Sequence, residues 1–301
     1  MKKIIVVAGV TGNLGGKIVN ALLTREAEVR AIVRLKTDIN KIKELEQKGV
    51  SVFQVDTNNK SEISKHCIGA QCFVSAIAGL KETIVDTQKI FVDAAVEANV
   101  PRFISSDYSI DFTNLKEGQN RNLDLRRDFH RYLEKAPIKA TTIFNGAFMD
   151  LLTTDIPLIL FKQKRILCWG NPNQIIEFTT TENVAEFTAE AAIDDSTPRY
   201  LRIASDRLSC NDFVKLLNKL TSKPYKIFKP GGISVLNFLI KLTRFFSPAK
   251  NELYPAWQGM QYLRDMMEGK IIFHNYDNDR YSNIKWTSVK EFLIIKQANL
   301  K

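Results

Sequence analysis

The chain has 301 residues, 45% apolar and 25% charged, with 14 Gly and 9 Pro. This is ordinary globular composition, enough for about two domains that bury roughly 75% of the unfolded surface, and it excludes disordered, collagenous and coiled-coil chains. The charge is unusual: 43 Lys and Arg against 33 Asp and Glu give +10, which invites a nucleic-acid or membrane-surface reading until its location is known.

Four cysteines, Cys67, Cys72, Cys168 and Cys210, form no Cys-x-x-Cys pair, and the three histidines are not placed to complete a zinc cluster. No metal is expected, and the thiols read as reduced, mostly buried residues of a cytoplasmic protein. Met1-Lys2-Lys3 before an apolar run imitates a signal peptide, but glycines recur at 9, 12, 15 and 16 and no small-residue cleavage site follows. A strand and a turn explain the segment better. No uncharged apolar run approaches the roughly 18 residues of a membrane span, so a soluble protein is expected.

In chain order, strands are predicted near Lys3–Ala8, Glu28–Val33, Ser51–Val55, Gln71–Ala76, Arg102–Ser105 and Ala140–Phe144. Helices alternate with them near Asn13–Arg25, Ile39–Gln47, Lys60–Cys67, Glu82–Ala98 and Leu123–Lys135. This rhythm predicts an α/β fold with a doubly wound parallel sheet. After Asn145 it loosens, with a helix near Ala147–Phe161, a strand at Arg165–Trp169, a helix at Asn183–Ile193 and a strand at Tyr200–Ala204. Helices follow near Cys210–Leu220, Ser234–Phe245, Glu252–Met267 and Ser288–Lys296. The expected division is a dinucleotide-binding domain at 1–150, borrowing a strand from about 199–205, and a smaller, partly interleaved C-terminal α/β substrate domain at 151–301. No internal repeat or low-complexity segment is visible.

Gly9-Val10-Thr11-Gly12-Asn13-Leu14-Gly15 follows a strand and opens a helix. In that context Gly9 permits the tight turn, Gly12 lets backbone N–H groups approach a pyrophosphate, and Gly15 lets helix pack on strand. The Gly-x-x-Gly-x-x-Gly spacing departs from the dehydrogenase fingerprint. At the end of the second strand, where an acidic residue would bind a ribose 2′-hydroxyl, stand Arg34 and then Lys36, which favours NADP(H) over NAD(H). Asp56-Thr57 at the end of the third strand is expected near the adenine. Ala76 and Ile77 at the end of the fourth strand and Ser105 at the end of the fifth extend the expected cofactor rim.

Gly9–Gly15, Val29–Arg34, Pro101–Ser106 and Asn145–Met149 together resemble the NmrA-like branch of the atypical short-chain dehydrogenase/reductase superfamily, along nearly the whole chain. The resemblance implies a Rossmann domain holding NADP(H) across the strand ends, a substrate cleft beneath the second domain, and contacts to ligand from Asn145 and Phe148. It also implies a catalytic Tyr-x-x-x-Lys, and here the two places hold Asn122 and Arg126. Arg126 cannot give up a proton near pH 7, but it can stabilise a developing oxyanion as a fixed charge. Tyr108, beyond the fifth strand, is the alternative proton donor, with a loop aromatic packed over the cofactor as the bland reading.

Two functions follow. The first is an NADPH-dependent reductase of an electron-poor small molecule such as a quinone, whose hydroquinone anion takes its proton from water. The second, motivated by the altered Tyr/Lys pair, is a non-catalytic NADP(H) sensor that binds a regulatory protein partner. A sugar-nucleotide enzyme is disfavoured by the same missing pair. His130, with Asp128 and Arg131 on the Arg126 helix, reads as a packed or solvated histidine before a catalytic one. Trp169, Tyr254, Trp257, Met260 and Tyr262 are candidates for an aromatic pocket lining, or for core. The charge excess is local: residues 201–250 carry ten Lys and Arg against two Asp and Glu. Lys215, Lys219, Lys223, Lys226 and Lys229 read as a solvated helix face without nucleic-acid motifs, and no direct nucleic-acid partner is expected.

Overall fold

The computed structural model describes residues 2–153, 158–271 and 275–296. In the first half the apolar runs become β1 (Ile4–Ala8), β2 (Glu28–Arg34), β3 (Ser51–Val55), β4 (Cys72–Ser75), β5 (Arg102–Ile104) and β6 (Lys139–Phe144). The amphipathic stretches between them become α1 (Asn13–Thr24), α2 (Ile39–Gln47), α3 (Lys60–Cys67), α4 (Gln88–Glu97) and α5 (Arg121–Leu133). A π-helical segment, Glu82–Thr87, precedes α4. In the second half lie β7 (Ala147–Phe148), β8 (Ile159–Leu160), β9 (Arg165–Trp169), β10 (Ile176–Thr179), α6 (Thr181–Ile193), β11 (Tyr200–Arg202) and β12 (Asp206–Leu208). They are followed by α7 (Cys210–Thr221), β13 (Lys226–Gly231), α8 (Ile233–Phe246), α9 (Ala256–Met267) and α10 (Val289–Ile295).

The main sheet has seven strands in the order β11-β6-β5-β4-β1-β2-β3, and all its pairings are parallel. Strand order therefore reverses between β1 and β4, where the crossovers lead to opposite faces and leave a crevice at the carboxyl ends. Alternation along β1 explains the two layers: Ile5 and Val7 pack with Ile18, Leu45 and Phe187 of α1, α2 and α6, whereas Val6 and Ala8 pack with Ile63, Phe91 and Phe129 of α3, α4 and α5. Each fully buried aliphatic side chain in these layers contributes roughly 1.5–3 kcal/mol. β11 comes from the second half, so the chain returns to finish the sheet begun by the first. The edge strand seats through Tyr200–Thr142, Leu201–Ile143 and Arg202–Phe144 pairings.

Two small sheets, β12-β10-β7 and β13-β9-β8, share a separate apolar core around Trp169, Phe178, Phe213, Leu236 and Leu293. Here the sequence expectations need correction. The helix expected over 147–161 is absent from its described part: β7 is followed by a 3₁₀ turn at Met149–Thr153 and then β8, and residues 154–157 lie outside the described region. Pro157, which has no N–H to donate, already argued against a helix there. The helix expected from Glu252 starts at Ala256, behind Pro255. The expected lysine-rich helix face divides, because Lys215 and Lys219 lie on α7 whereas Lys226 and Lys229 lie on β13. Strands β7, β8, β10, β12 and β13 were not expected; β13 is exposed along most of its length and lacks the apolar run that marks a buried strand. All four cysteines are free and buried. No helix among the described residues is long and apolar enough to cross a membrane.

Candidate functional site

The crevice at the carboxyl ends of the sheet is a cavity of about 580 Å³. One end is made by backbone. Gly9 has φ +88°, and a Cβ placed on it would come within 2.3 Å of Ala76 O, so the close approach of β1 to the β4 loop requires glycine. Gly12 N–H donates to Gly9 O at 3.0 Å and closes the turn. A Cβ on Gly15 would stand 2.1 Å from Gly9 O, which is why Gly15 packs beneath the turn and does not line the cavity.

α1 begins without a side-chain cap, its N-cap being Gly12. α2, α3, α5, α6 and α7 are capped by Asp38, Asn59, Asn120, Thr180 and Ser209, whereas α8 and α9 also begin uncapped, at Gly232 and Pro255, but do not line the cavity. The first turn of α1 thus keeps unsatisfied N–H groups and the positive end of its dipole beside the cavity, which Asn13 and Leu14 line. Thr11, Gly12, Thr57, Ala76 and Ile77 line it too, as does Arg34, which is exposed at the end of β2. Lys36 and Asp56 do not. Asp56 is occupied with its own loop, accepting from Asn58 N–H at 2.9 Å.

The other end is made by residues from five segments: Tyr108, Arg126, Phe148 and Asp150, Thr181, and Tyr254. Thr83 and Thr87 of the π-helical segment join them. Arg126 is buried, and its Nη1 donates to Asn122 O at 3.0 Å, while Nε has no hydrogen-bond partner. A buried guanidinium edge left unpaired beside a cavity is a ready donor for a ligand oxygen. Asp150 accepts from the Thr181 hydroxyl at 2.5 Å. Asp150, Thr181 and Thr83 carried no sequence signal, because only the folded chain brings β7, α6 and the β4 loop together.

Asn122 holds protein in place of ligand. Its amide donates to Leu253 O at 3.0 Å, and neighbouring Arg121 donates to Glu252 O and Leu253 O at 2.9 and 2.8 Å while stacking 4.7 Å from the Trp257 ring centre. Together they fix the backbone that presents Tyr254. Of the aromatic candidates, Tyr254 lines the cavity; Trp169 and Trp257 are core, Met260 packs against the core of the small sheets, and burial pushes the Tyr262 phenol up to about 12.

Tyr108 contributes its ring, while its hydroxyl is buried beside the Thr188 hydroxyl, which itself donates to Val184 O at 2.7 Å. Burial raises this phenol above the ordinary tyrosine range, which makes it a weaker acid than a free one. Ser105 and Asn145, expected on the rim, are turned inward. Ser105 donates to Asp107 and contacts Thr142 Oγ1 at 2.9 Å, while the Asn145 carbonyl accepts from the Thr179 hydroxyl at 2.7 Å. The residue after Ser105, Ser106, reaches the cavity instead.

Behind Arg126 lies a buried polar network. His130 Nε2 lies 2.7 Å from Asp107 Oδ2, which also accepts from Thr142 Oγ1 at 2.9 Å, and Arg199 reaches both Thr142 Oγ1 at 2.8 Å and His130 Nδ1 at 3.3 Å. Burial alone would raise the Asp107 carboxyl, but His130, Ser105 and the Arg126 charge outweigh it and hold it at about 2. The packed reading of His130 fits this place, and Asp128 and Arg131 pair with each other on the surface.

The NmrA-like family model matches residues 1–292. Among curated proteins, the chain is 23% identical to "Probable pinoresinol-lariciresinol reductase 3" of Arabidopsis thaliana, over 97% of both chains. Its fold is that of the structure described as "AtPrR2 with NADP+ and (+)pinoresinol", with a TM-score of 0.80 and 20% identity over 98% of this chain and 99% of that one. Triphenylmethane reductase of Citrobacter sp., solved with NADP(H), aligns with a TM-score of 0.72 and 17% identity over 98% and 99%. With the family model matching 292 of the 301 residues, the chain belongs to the NmrA-like family.

Proposed function

We propose that the protein is an NADPH-dependent reductase of an electron-poor small molecule such as a quinone, working in this cavity. The observation that carries the reading is the pairing of an uncapped helix start at Gly12 with two cavity arginines, Arg34 and Arg126, one of them with an unpartnered Nε. The glycine turn would receive the pyrophosphate on the free N–H groups of α1, and Arg34 would meet the 2′-phosphate as a bidentate fork. That two proteins of the same fold, AtPrR2 and triphenylmethane reductase, were solved with NADP⁺ and NADP(H) supports the same cofactor. When bound, the reduced nicotinamide supplies a hydride.

The remaining steps belong to the chain. Arg126 would stabilise the oxygen that gains negative charge, without itself giving a proton. With the Tyr108 phenol raised by burial and Asn122 committed to the Leu253 carbonyl, neither is a ready acid. A product anion stable enough to draw its proton from water is therefore the best match. Nothing in the site favours the sensor reading over this one.

The test is NADPH and NADH titration by fluorescence, followed by NADPH oxidation with a panel of quinones and simple ketones. Quinones should turn over and simple ketones should not, and Arg34→Glu should weaken NADPH at least tenfold while leaving NADH little changed. Tight NADPH binding without oxidation by any quinone would overturn the reductase, and unchanged NADPH affinity in Arg34→Glu would overturn the role of Arg34.

A further inference from the structure

α8 is apolar on two sides. Leu236 and Ile240 are buried, as expected for a helix packed on α9 and the second core. On the other side Val235, Phe238, Leu242, Phe245 and Phe246 follow helical spacing and face outward, with Phe245 80% and Phe246 75% exposed. Phe228 on neighbouring β13 is also exposed. Clustered exposed aromatics of this kind mark an interaction surface, unlike scattered single residues.

The charge around them is one-sided. From Phe213 to Asn251 the sequence has eight Lys and Arg and no Asp or Glu. Lys226, Lys229, Lys241 and Lys250 are exposed, and no ion pair is formed by them among the described residues. Arg244 is exposed as well and stacks 5.1 Å from the Trp257 ring centre. A second copy of this chain docking here through a two-fold axis would bring like charges together. An acidic protein groove would satisfy the lysines, but an anionic bilayer satisfies both properties at once, because Phe and Leu enter the acyl boundary while Lys and Arg remain at the headgroups.

We propose that α8, with the lysines of β13 and the loop after α8, is a docking surface for an anionic lipid bilayer. The helix lies in the plane of the interface with Phe238, Leu242, Phe245 and Phe246 inserted. Tyr254, which lines the cavity, is 59% exposed only a few residues beyond the end of α8. The docked face and the cavity mouth are therefore close in the chain, although the docking itself does not depend on what the cavity binds.

The test is co-sedimentation of the full chain with vesicles of phosphatidylcholine alone and with 30% phosphatidylserine, at low and high salt. Binding to the anionic vesicles should exceed binding to neutral ones at least tenfold and be largely lost at high salt. Phe245→Ser/Phe246→Ser and Lys226→Glu/Lys229→Glu should each lower it at least fivefold, with thermal unfolding unchanged because these side chains are exposed. Equal or absent binding to the two vesicle types overturns the proposal, as does undiminished binding by the Phe pair. Sedimentation velocity run alongside would overturn it if the wild type is a dimer that the Phe pair dissociates, since the face would then belong to a second copy.

Discussion

The two ends of the cavity are built by different means. The end at Gly9–Leu14 is made of backbone N–H groups and glycine geometry, supplied by one uninterrupted strand-turn-helix. The end at Arg126 and Tyr254 is made of side chains from segments far apart in the chain, brought together by contacts such as that of Asn122 with the Leu253 carbonyl. A backbone-built end recognises what every dinucleotide shares. A side-chain-built end can change its chemistry by single substitutions without disturbing the backbone that forms the other end.

The largest effect that would break this contrast is at the backbone end. Gly9→Ala must relieve both a φ of +88° and a contact with Ala76 O, so it should cost on the order of 3 kcal/mol or more and abolish NADPH binding. Urea unfolding and NADPH fluorescence measure the two; a stable variant with intact binding would mean that the turn is not needed in this form.

Next comes the support behind the side-chain end. Asp107 is held at about 2, below the value of an unfolded aspartate, so its contribution to stability is present above about pH 4 and is lost as pH falls towards 2. Asp107→Asn should cost about 2–3 kcal/mol at pH 7, and the gap from wild type should close over that acid interval. A gap that stays constant with pH would show that the Asp107 charge is not what stabilises the network.

A smaller effect, on rate alone, is expected at Arg126. Arg126→Ala should lower kcat roughly 10- to 100-fold with little change in NADPH affinity, and Arg126→Lys should recover part of it by restoring the charge. Stopped-flow measurement of NADPH oxidation separates these, and equal loss in Lys and Ala variants would favour a role in shape over one in charge. Tyr254→Ala should be mildest, raising KM for the acceptor about three- to tenfold, because the ring is half in solvent and only borders the cavity.

The same contrast explains what could be read in the sequence. The glycine turn and Arg34 are legible because their geometry is local: a strand, a turn and a helix fix them without reference to the rest of the chain. Ser105 was expected at the rim as a strand end and Asn145 from the resemblance, but both are buried: the Ser105 hydroxyl donates to Asp107 and the Asn145 side-chain amide donates to Gly146 O. Asp150 and Thr181 were invisible because the parallel β7–β10 pairing that brings them together joins short strands separated by two others. The apparent helix over 147–161 failed for a related reason: its apolar residues serve two short strands and a turn packed on the second core, and periodicity does not distinguish those over so few residues.

The β6–β11 ladder also governs how the chain can be made and cut. On the ribosome, β6 emerges with one edge bare and stays so until Tyr200–Arg202 has been synthesised, which makes the intervening segment the vulnerable interval of biogenesis. A chain severed between Phe144 and Tyr200 would yield two fragments that share a sheet, each carrying the missing edge of the other, and their reassembly would report on the integrity of the fold.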